Sequence, residues 1–146
     1  MPSNIFIGAQ FVDGVVPLIH SAQHSIDIVV FDWRLYPQQP ESPAGLLLHA
    51  LQNAHDRGVE VRVITSNEAV AAQLRQYGFK VERLYFPRLV HAKVMIFDGL
   101  RAVLGSHNYT QAAFSQNIEV SALIDLGSVD NELTRWFTNL WPLGKR

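Results

Sequence analysis

Hydrophobic and polar residues along this chain recur with the periods of strands and helices. Residues 25–31 form an apolar, β-branched run typical of a buried strand, and residues 59–65 alternate as a half-buried strand does. Between these runs, apolar residues recur at helical spacing after Ser42 and Pro43, and Gly58 ends the repeat. The pattern predicts a strand–helix–strand unit with parallel strands.

The same alternation continues to the end of the chain. The further elements predicted are, in order, a helix over 67–77, strands over 81–84, 90–97, 101–104 and 118–125, and a helix over 129–140. Ser66 is the expected cap of the first of these helices, and Asp98-Gly99 favours a two-residue hairpin turn. We therefore predict an α/β fold with a mixed, mostly parallel β-sheet flanked by helices.

Length and composition limit the classes of protein. The chain has 146 residues, so we expect a single domain over residues 1–146. Hydrophobic residues make up 48% and charged residues 17%, which excludes a disordered chain. The net charge of −1 gives no overall positive field, although residues 71–101 contain six basic and two acidic side chains. Any site for an anion must therefore be local.

The chain has no cysteine and hence no disulfide, thiolate metal site or cysteine nucleophile. Its first residues lack the basic and apolar regions of an export signal, and its longest apolar run, 28–31, is far too short to cross a bilayer. We expect a soluble, cytoplasmic protein without stable membrane insertion. A chain trimmed of an export signal would show the same pattern.

One stretch combines residue types that suit phosphate chemistry. It reads His91-x-Lys93, then Asp98, then Gly105-Ser106-x-Asn108. On a strand, the side chains of His91 and Lys93 project from the same face. With a two-residue turn, Ser106 would lie across from His91. An imidazole, an ammonium group, a hydroxyl and a carboxamide around one pocket suit a phosphoryl group.

This spacing, H-x-K-x4-D-x6-G-S-x-N, resembles the defining motif of the phospholipase D superfamily, with all six fixed residues present. Residues 25–31, 54–65 and 109–124 and the closing helix with Trp136 and Trp141 also resemble the small dimeric bacterial endonucleases of that superfamily. The resemblance implies a phospholipase D-like fold. The segment 32–34 and the proline-rich loop after it depart from the pattern of those nucleases, which leaves the substrate open.

The resemblance also implies a reaction that needs two histidines. In the family, one histidine attacks phosphorus to form a phosphohistidine, a second protonates the leaving oxygen, and water releases the product. The motif occurs once in this chain. We therefore expect a homodimer in which His91 of one copy is the nucleophile and His91 of the other copy is the general acid.

The family resemblance assigns roles to the other motif residues. Lys93 and Asn108 would bind the nonbridging phosphate oxygens, and Ser106 would orient the site. Glu119 would hold the second ring nitrogen of the catalytic histidine, whereas Asp98 would support the site less directly. No metal or cofactor is expected.

The favoured function is a metal-independent phosphodiesterase, an endonuclease of low specificity that cleaves DNA or RNA. Two alternatives are a phospholipase D or transphosphatidylase acting on phospholipid headgroups, and a non-catalytic module that binds nucleic acid. Arg88 is the expected additional substrate-binding residue. The candidates for a phosphate-tracking rim are Arg75, Lys80, Arg83, Arg88 and Arg101. Trp33, Trp136 and Trp141 could stack on bases, but packing in a core or an interface is the favoured interpretation.

Overall fold

A seven-stranded sheet forms the centre of the molecule. The structure, a computed structural model, describes residues 4–145. Its strands are β1 (Ile5–Ile7), β2 (Ser25–Val30), β3 (Glu60–Thr65), β4 (Lys80–Arg83), β5 (Lys93–Phe97), β6 (Arg101–Gly105) and β7 (Val120–Asp125). Its helices are α1 (Gln10–Ser21), α2 (Pro43–Asp56), α3 (Glu68–Gln76), α4 (Gln111–Ser115) and α5 (Glu132–Leu140), followed by a 3-10 helix over Trp141–Lys145.

The strand order is β1-β7-β6-β5-β2-β3-β4. The pairs β2–β3 and β3–β4 are parallel, and all other neighbours are antiparallel. The mixed α/β sheet is confirmed, but the expectation that it is mostly parallel is wrong. Only α2 and α3 are crossover helices, whereas β5 inserts beside β2 in the opposite direction and starts an antiparallel run.

Hydrogen bonds at the helix starts show which residues are caps. The Ser42 hydroxyl accepts from the Gly45 N–H at the start of α2, as the sequence predicts. The cap of α3 is Asn67 and not Ser66, because the Asn67 side chain accepts from the Val70 N–H. Helix α5 begins at Glu132, three residues later than predicted. Within residues 4–145, no helix has the length and apolar character needed to span a membrane.

The sequence pattern did not reveal β1 or α1. Helix α1 contains Gly14 and Pro17, residues that are normally unfavourable inside a helix. Gly14 is required by close packing, since a Cβ there would lie 2.4 Å from the ring of Phe6 on β1. The glycine that obscures the helix therefore allows it to pack against the first strand.

The hairpin between β5 and β6 has a three-residue turn, not the two-residue turn predicted. Val94 pairs with Leu104, and Phe97 pairs with Arg101. Asp98, with φ of 56°, begins the turn and is followed by two more residues before β6. The extra residue shifts the register by one, so the prediction that Ser106 faces His91 is wrong. Strand β5 also begins later than predicted, at Lys93.

The two faces of the sheet are covered unequally. Helices α1 to α4 pack on one face over the larger apolar core. The other face, called the α5 face below, is covered by α5 and the 3-10 helix. There the Arg62 guanidinium lies 5.0 Å from the centre of the Phe137 ring and donates two hydrogen bonds to the Asp27 carboxylate. Burying an arginine under an aromatic ring anchors α5 to the sheet.

Candidate active site

Most of the motif residues lie at one edge of the sheet. The carboxyl ends of β2, β3 and β6 meet the amino ends of β5 and β7 at this edge, because Val30 pairs with Lys93 and Gly105 pairs with Ser121. We call it the site edge. It is built from loops and strand ends that are distant in sequence, as is usual for binding sites on α/β sheets.

His91 is exposed just before β5 and packs on Phe31, the residue that follows β2. The two ring centres are 4.6 Å apart. The half-buried Lys93 brings its Nζ to 3.4 Å from Nδ1 of His91 and to 5.6 Å from the centre of the Phe31 ring. The imidazole and the ammonium group therefore converge as predicted, and Phe31 positions both.

Asn108 is held at the same edge by the backbone that follows β2, next to Phe31 in the chain. Its Oδ1 accepts a hydrogen bond of 3.1 Å from the Asp32 N–H, and the Asp32 carbonyl accepts from the Tyr109 N–H. Because Oδ1 is used in this way, the Nδ2 donors of Asn108 remain for a ligand. The sequence could not reveal that Phe31 and Asp32 belong to the site, since they lie outside the motif.

Ser106 and Glu119 form a separate pair at the start of β7. The Ser106 hydroxyl donates to Glu119 Oε1 and accepts from the Val120 N–H. The other carboxylate oxygen of Glu119 accepts from Asn117. The expected contact between Glu119 and the His91 ring is thus replaced by a contact with Ser106. Gly105 is needed here for packing, because a Cβ would lie 2.4 Å from the Val120 carbonyl oxygen of β7.

Asp98 lies at the opposite end of β5, roughly 16 Å along the strand from Lys93. Its carboxylate accepts hydrogen bonds from the backbone N–H groups of Gln23, His24 and Ser25. Partial burial alone would raise the pKa of Asp98, but these donors outweigh it and hold the pKa below its ordinary value. The structure therefore does not bring Asp98 to the other motif residues.

The predicted basic rim is divided between the two edges of the sheet. Lys80 and Arg101 begin β4 and β6, at the edge away from the site. Arg75 is in the last turn of α3 and donates to the Val81 carbonyl. Arg83 and Arg88 remain at the site edge, where Arg83 stacks over Tyr85 at 4.2 Å and pairs with a glutamate of α3.

His107, inside the motif, is buried and bonded at both ring nitrogens. Its Nε2 donates to the Gly8 carbonyl, which can only accept, so Nδ1 accepts from the Ser121 hydroxyl. Burial lowers the pKa of the His107 imidazole, although the bond to Gly8 opposes this effect. A neutral His107 thus ties the segment between Ser106 and Asn108 to β7 and to the turn after β1.

The tryptophans are not grouped at the site. Trp33 is fully buried against Tyr109, as favoured from the sequence, and Trp141 stacks on Phe137 at the end of α5. Trp136 is partly exposed on α5. Within residues 4–145, no group of three histidine or acidic side chains is placed to hold a metal ion.

The sequence matches one known protein family over most of its length. The family described as cardiolipin synthase, PLD-like domain, matches residues 15–141. The mitochondrial cardiolipin hydrolase of Xenopus laevis is 32% identical over 126 residues, which are 82% of this chain and 56% of that protein. The chain thus spans a little over half the length of this curated relative.

Solved structures of similar shape include Nuc from Salmonella typhimurium, a phospholipase D family member. It has a TM-score of 0.68 and 24% identity, and the match covers 94% of this chain and 90% of that one. NucT from Helicobacter pylori has a TM-score of 0.64 and 20% identity, with 97% of this chain and 91% of that one covered. These two structures support the fold, and the family match covers most of the sequence. The chain therefore belongs to the PLD-like domain family of the phospholipase D superfamily.

Proposed function

We propose that this protein is a metal-independent endonuclease that cleaves DNA or RNA through a phosphohistidine intermediate. The observation that carries the proposal is the convergence of His91, Lys93 and Asn108 at the site edge. An exposed imidazole supplies a nucleophile, and an ammonium group and amide donors beside it match the charge of a phosphodiester.

In the first step, a ring nitrogen of His91 attacks phosphorus, and the bond from phosphorus to the leaving oxygen breaks. The leaving oxygen takes a proton from His91 of a second copy. In the second step, that same second histidine removes a proton from water, which attacks phosphorus and breaks the phosphorus–nitrogen bond. Lys93 and Asn108 donate to the nonbridging oxygens throughout, where charge accumulates in the transition states.

The second histidine is proposed to come from a second copy, since residues 1–146 carry the motif once. The α5 face offers a surface for it. Ile7, Val120 and Ile124 of the β1–β7 pair are exposed there, next to Trp136 of α5. Apolar side chains in such a group usually mark an interaction surface. We propose that a homodimer forms through this face, with Lys93 and Asn108 of both copies around one phosphate.

A phospholipid substrate is the second candidate. The relative from Xenopus laevis is named a cardiolipin hydrolase, and the matching family is described as cardiolipin synthase. The loop before His91 also carries Phe86, which is 97% exposed, beside Arg88. An exposed aromatic side chain next to an arginine is typical of segments that contact a membrane surface.

Cleavage of end-labelled single- and double-stranded DNA and RNA in excess chelator tests the nuclease. Purified wild-type protein is expected to cut at least one of these substrates, and His91→Ala is expected not to. Release of headgroup from cardiolipin vesicles by the wild type, without nucleic-acid cleavage, would favour the lipid candidate. Nucleic-acid binding without turnover, unchanged in His91→Ala, would instead identify a binding module.

Mixed dimers test the composite site. Wild-type chains and His91→Ala chains with different tags are co-expressed at known ratios. If one phosphate needs both histidines, activity falls with the square of the wild-type fraction. A linear fall would show that each copy acts alone, and a monomer in analytical ultracentrifugation would contradict the dimer directly.

A further inference from the structure

A recess of about 270 Å³ opens beside the candidate nucleophile. It lies at the carboxyl ends of β2 and β3, and its lining residues are Phe31, Asp32, Arg34, Ser66, Asn67 and Leu89. None of them belongs to the sequence motif. Asp32 and Arg34 fall in the segment where the sequence departs from the nucleases that it otherwise resembles.

Two walls of the recess contact residues of the candidate active site. Its wall Phe31 is in ring contact with His91, and its wall Asp32 holds the side chain of Asn108 through a backbone N–H. His91 and Asn108 do not line the recess themselves, but each contacts one of its walls. A group attached to a phosphate bound by His91 and Asn108 would therefore reach the recess past Phe31 and Asp32.

The walls are fixed in place rather than loose. The Ser66 hydroxyl accepts from the Val90 N–H at 2.9 Å, which ties the loop carrying Leu89 to the end of β3. Asn67 uses its Oδ1 to cap α3, so its Nδ2 is held facing away from that helix end. Walls that are already ordered bind a ligand without a further loss of conformational entropy.

The chemistry of the lining indicates the class of ligand. Phe31 and the 64% exposed Leu89 form apolar walls. Asp32 supplies a hydrogen-bond acceptor, and Asn67 supplies donors. The Asp32 carboxylate is paired with the Arg34 guanidinium at 3.1 Å, so the recess has no net negative charge to attract a cation. The ammonium group of Lys93 already lies near the Phe31 ring, which further disfavours a quaternary ammonium headgroup.

We propose that this recess is a subsite for the nucleobase of the nucleotide next to the scissile phosphate. A nucleobase is neutral and planar and carries hydrogen-bond donors and acceptors at its edge, as the lining requires. The volume of about 270 Å³ is slightly below the range for sites of drug-sized molecules, which begins at about 300 Å³, as suits a group as small as a nucleobase. This inference rests on the proposed nuclease activity and specifies which part of the substrate the enzyme recognises.

Three synthetic diesters with one leaving group test the subsite: the methyl, thymidine 5′ and choline esters of 4-nitrophenyl phosphate. The wild type is expected to prefer the thymidine ester to the methyl ester in kcat/KM by about tenfold or more. Leu89→Ala, which removes an apolar wall, is expected to reduce this preference about tenfold. Leu100→Ala is the matched control, an exposed leucine in the turn at the far edge of the sheet, and should keep the preference.

The outcomes distinguish failure of the nucleobase subsite from failure of the proposed phosphodiesterase activity. Turnover of the methyl ester that depends on His91, without any preference for thymidine, would overturn the nucleobase subsite and leave the phosphodiesterase intact. A preference for the choline ester that Leu89→Ala abolishes would assign the recess to an ammonium headgroup instead. Failure to turn over all three esters would count against the proposed catalytic activity itself.

Binding tests the recess without turnover. In a His91→Ala background, calorimetry compares thymidine 5′-monophosphate with inorganic phosphate. Adding Leu89→Ala is expected to weaken nucleotide binding about tenfold and to leave phosphate binding unchanged. Equal weakening of both ligands, or of neither, would overturn the proposal.

Discussion

The two ends of β5 carry parts of one motif but are built in opposite ways. At the Asp98 end, the carboxylate accepts from three successive backbone N–H groups. At the other end, His91 and Lys93 share a single long contact of 3.4 Å, and no partner of Asn108 Nδ2 lies in residues 4–145. Satisfied groups stabilise a fold, whereas unsatisfied ones are available to a ligand. The comparison indicates a structural role for Asp98 and supports the chemical role proposed for His91.

The strongest test is His91→Ala. Removing the proposed nucleophile is expected to reduce phosphodiester cleavage at least about a thousandfold, because the proposed covalent intermediate forms on the His91 imidazole. The thermal unfolding midpoint should hardly change, since His91 is exposed. His49→Ala on the exposed side of α2 is the matched control and should retain full activity. Substantial residual activity in His91→Ala would contradict the proposed mechanism.

Asn108→Ala should have the next largest effect. Loss of donors to a phosphate oxygen is expected to lower kcat about a hundredfold. The Asp32 N–H also loses its acceptor, so a smaller loss of stability, about 1 kcal/mol, should accompany it. Steady-state kinetics and denaturant titration measure the two effects. Asn139→Ala, on an exposed part of α5, controls for loss of an amide elsewhere. A kcat equal to that of the wild type would remove Asn108 from the site.

Asp98→Ala should reverse the pattern, with a large effect on stability and a small one on activity. Three backbone donors lose their acceptor, and alanine is strained at the φ of 56° that Asp98 adopts. The free energy of unfolding is expected to fall by about 2–3 kcal/mol. Asp98→Asn, which tolerates this backbone conformation, should lose less.

The effect of Asp98→Ala on activity is measured at temperatures below its unfolding transition. The folded Asp98→Ala protein should keep kcat within about threefold of the wild type, since Asp98 is at the far end of β5. A hundredfold loss of kcat without loss of stability would show that Asp98 takes part in the reaction, and would contradict the structural role inferred for it.

The smallest expected effect is the pH dependence of stability. The backbone donors around Asp98 keep its pKa below the ordinary value of 3.8 in the folded protein. Its contribution to the free energy of unfolding is therefore complete above about pH 4 and is lost as the pH falls through the folded pKa. Denaturant titrations between pH 5 and pH 2 should show a steeper loss for the wild type than for Asp98→Asn, which does not titrate. Parallel curves would show that Asp98 contributes nothing to the pH dependence of the free energy of unfolding.

Much of the central sheet could be predicted from sequence because its strands and helices carry clear local signals. Ser42 and Pro43 mark the start of α2, and alternation marks β3. Helix α1 was missed because Gly14 and Pro17 mask its period, and tertiary packing against Phe6 overrides their poor helix propensity. The parallel fraction was overestimated because the position of β5 beside β2 depends on long-range pairing.

The site shows the same division between local and distant signals. The convergence of His91 with Lys93 follows from their spacing alone, two residues apart at the start of a strand. Phe31 and Asp32 could not be assigned, because the pairing of Val30 with Lys93 joins positions far apart in the chain. The prediction that Ser106 faces His91 was wrong because the hairpin register depends on the turn length, which one residue changes.

The Asp98 carboxylate also affects the order in which the chain can fold. It binds backbone groups that lie 73 to 75 positions earlier in the sequence. During synthesis, the end of α1 and the start of β2 must therefore wait for the hairpin to emerge before this connection can close, and folding dominated by such distant contacts is slow. The segment from His91 to Asn108, expressed alone, would lack both β2 and the anchor for its turn. The proposed phosphate site is therefore complete only when both halves of the chain have assembled.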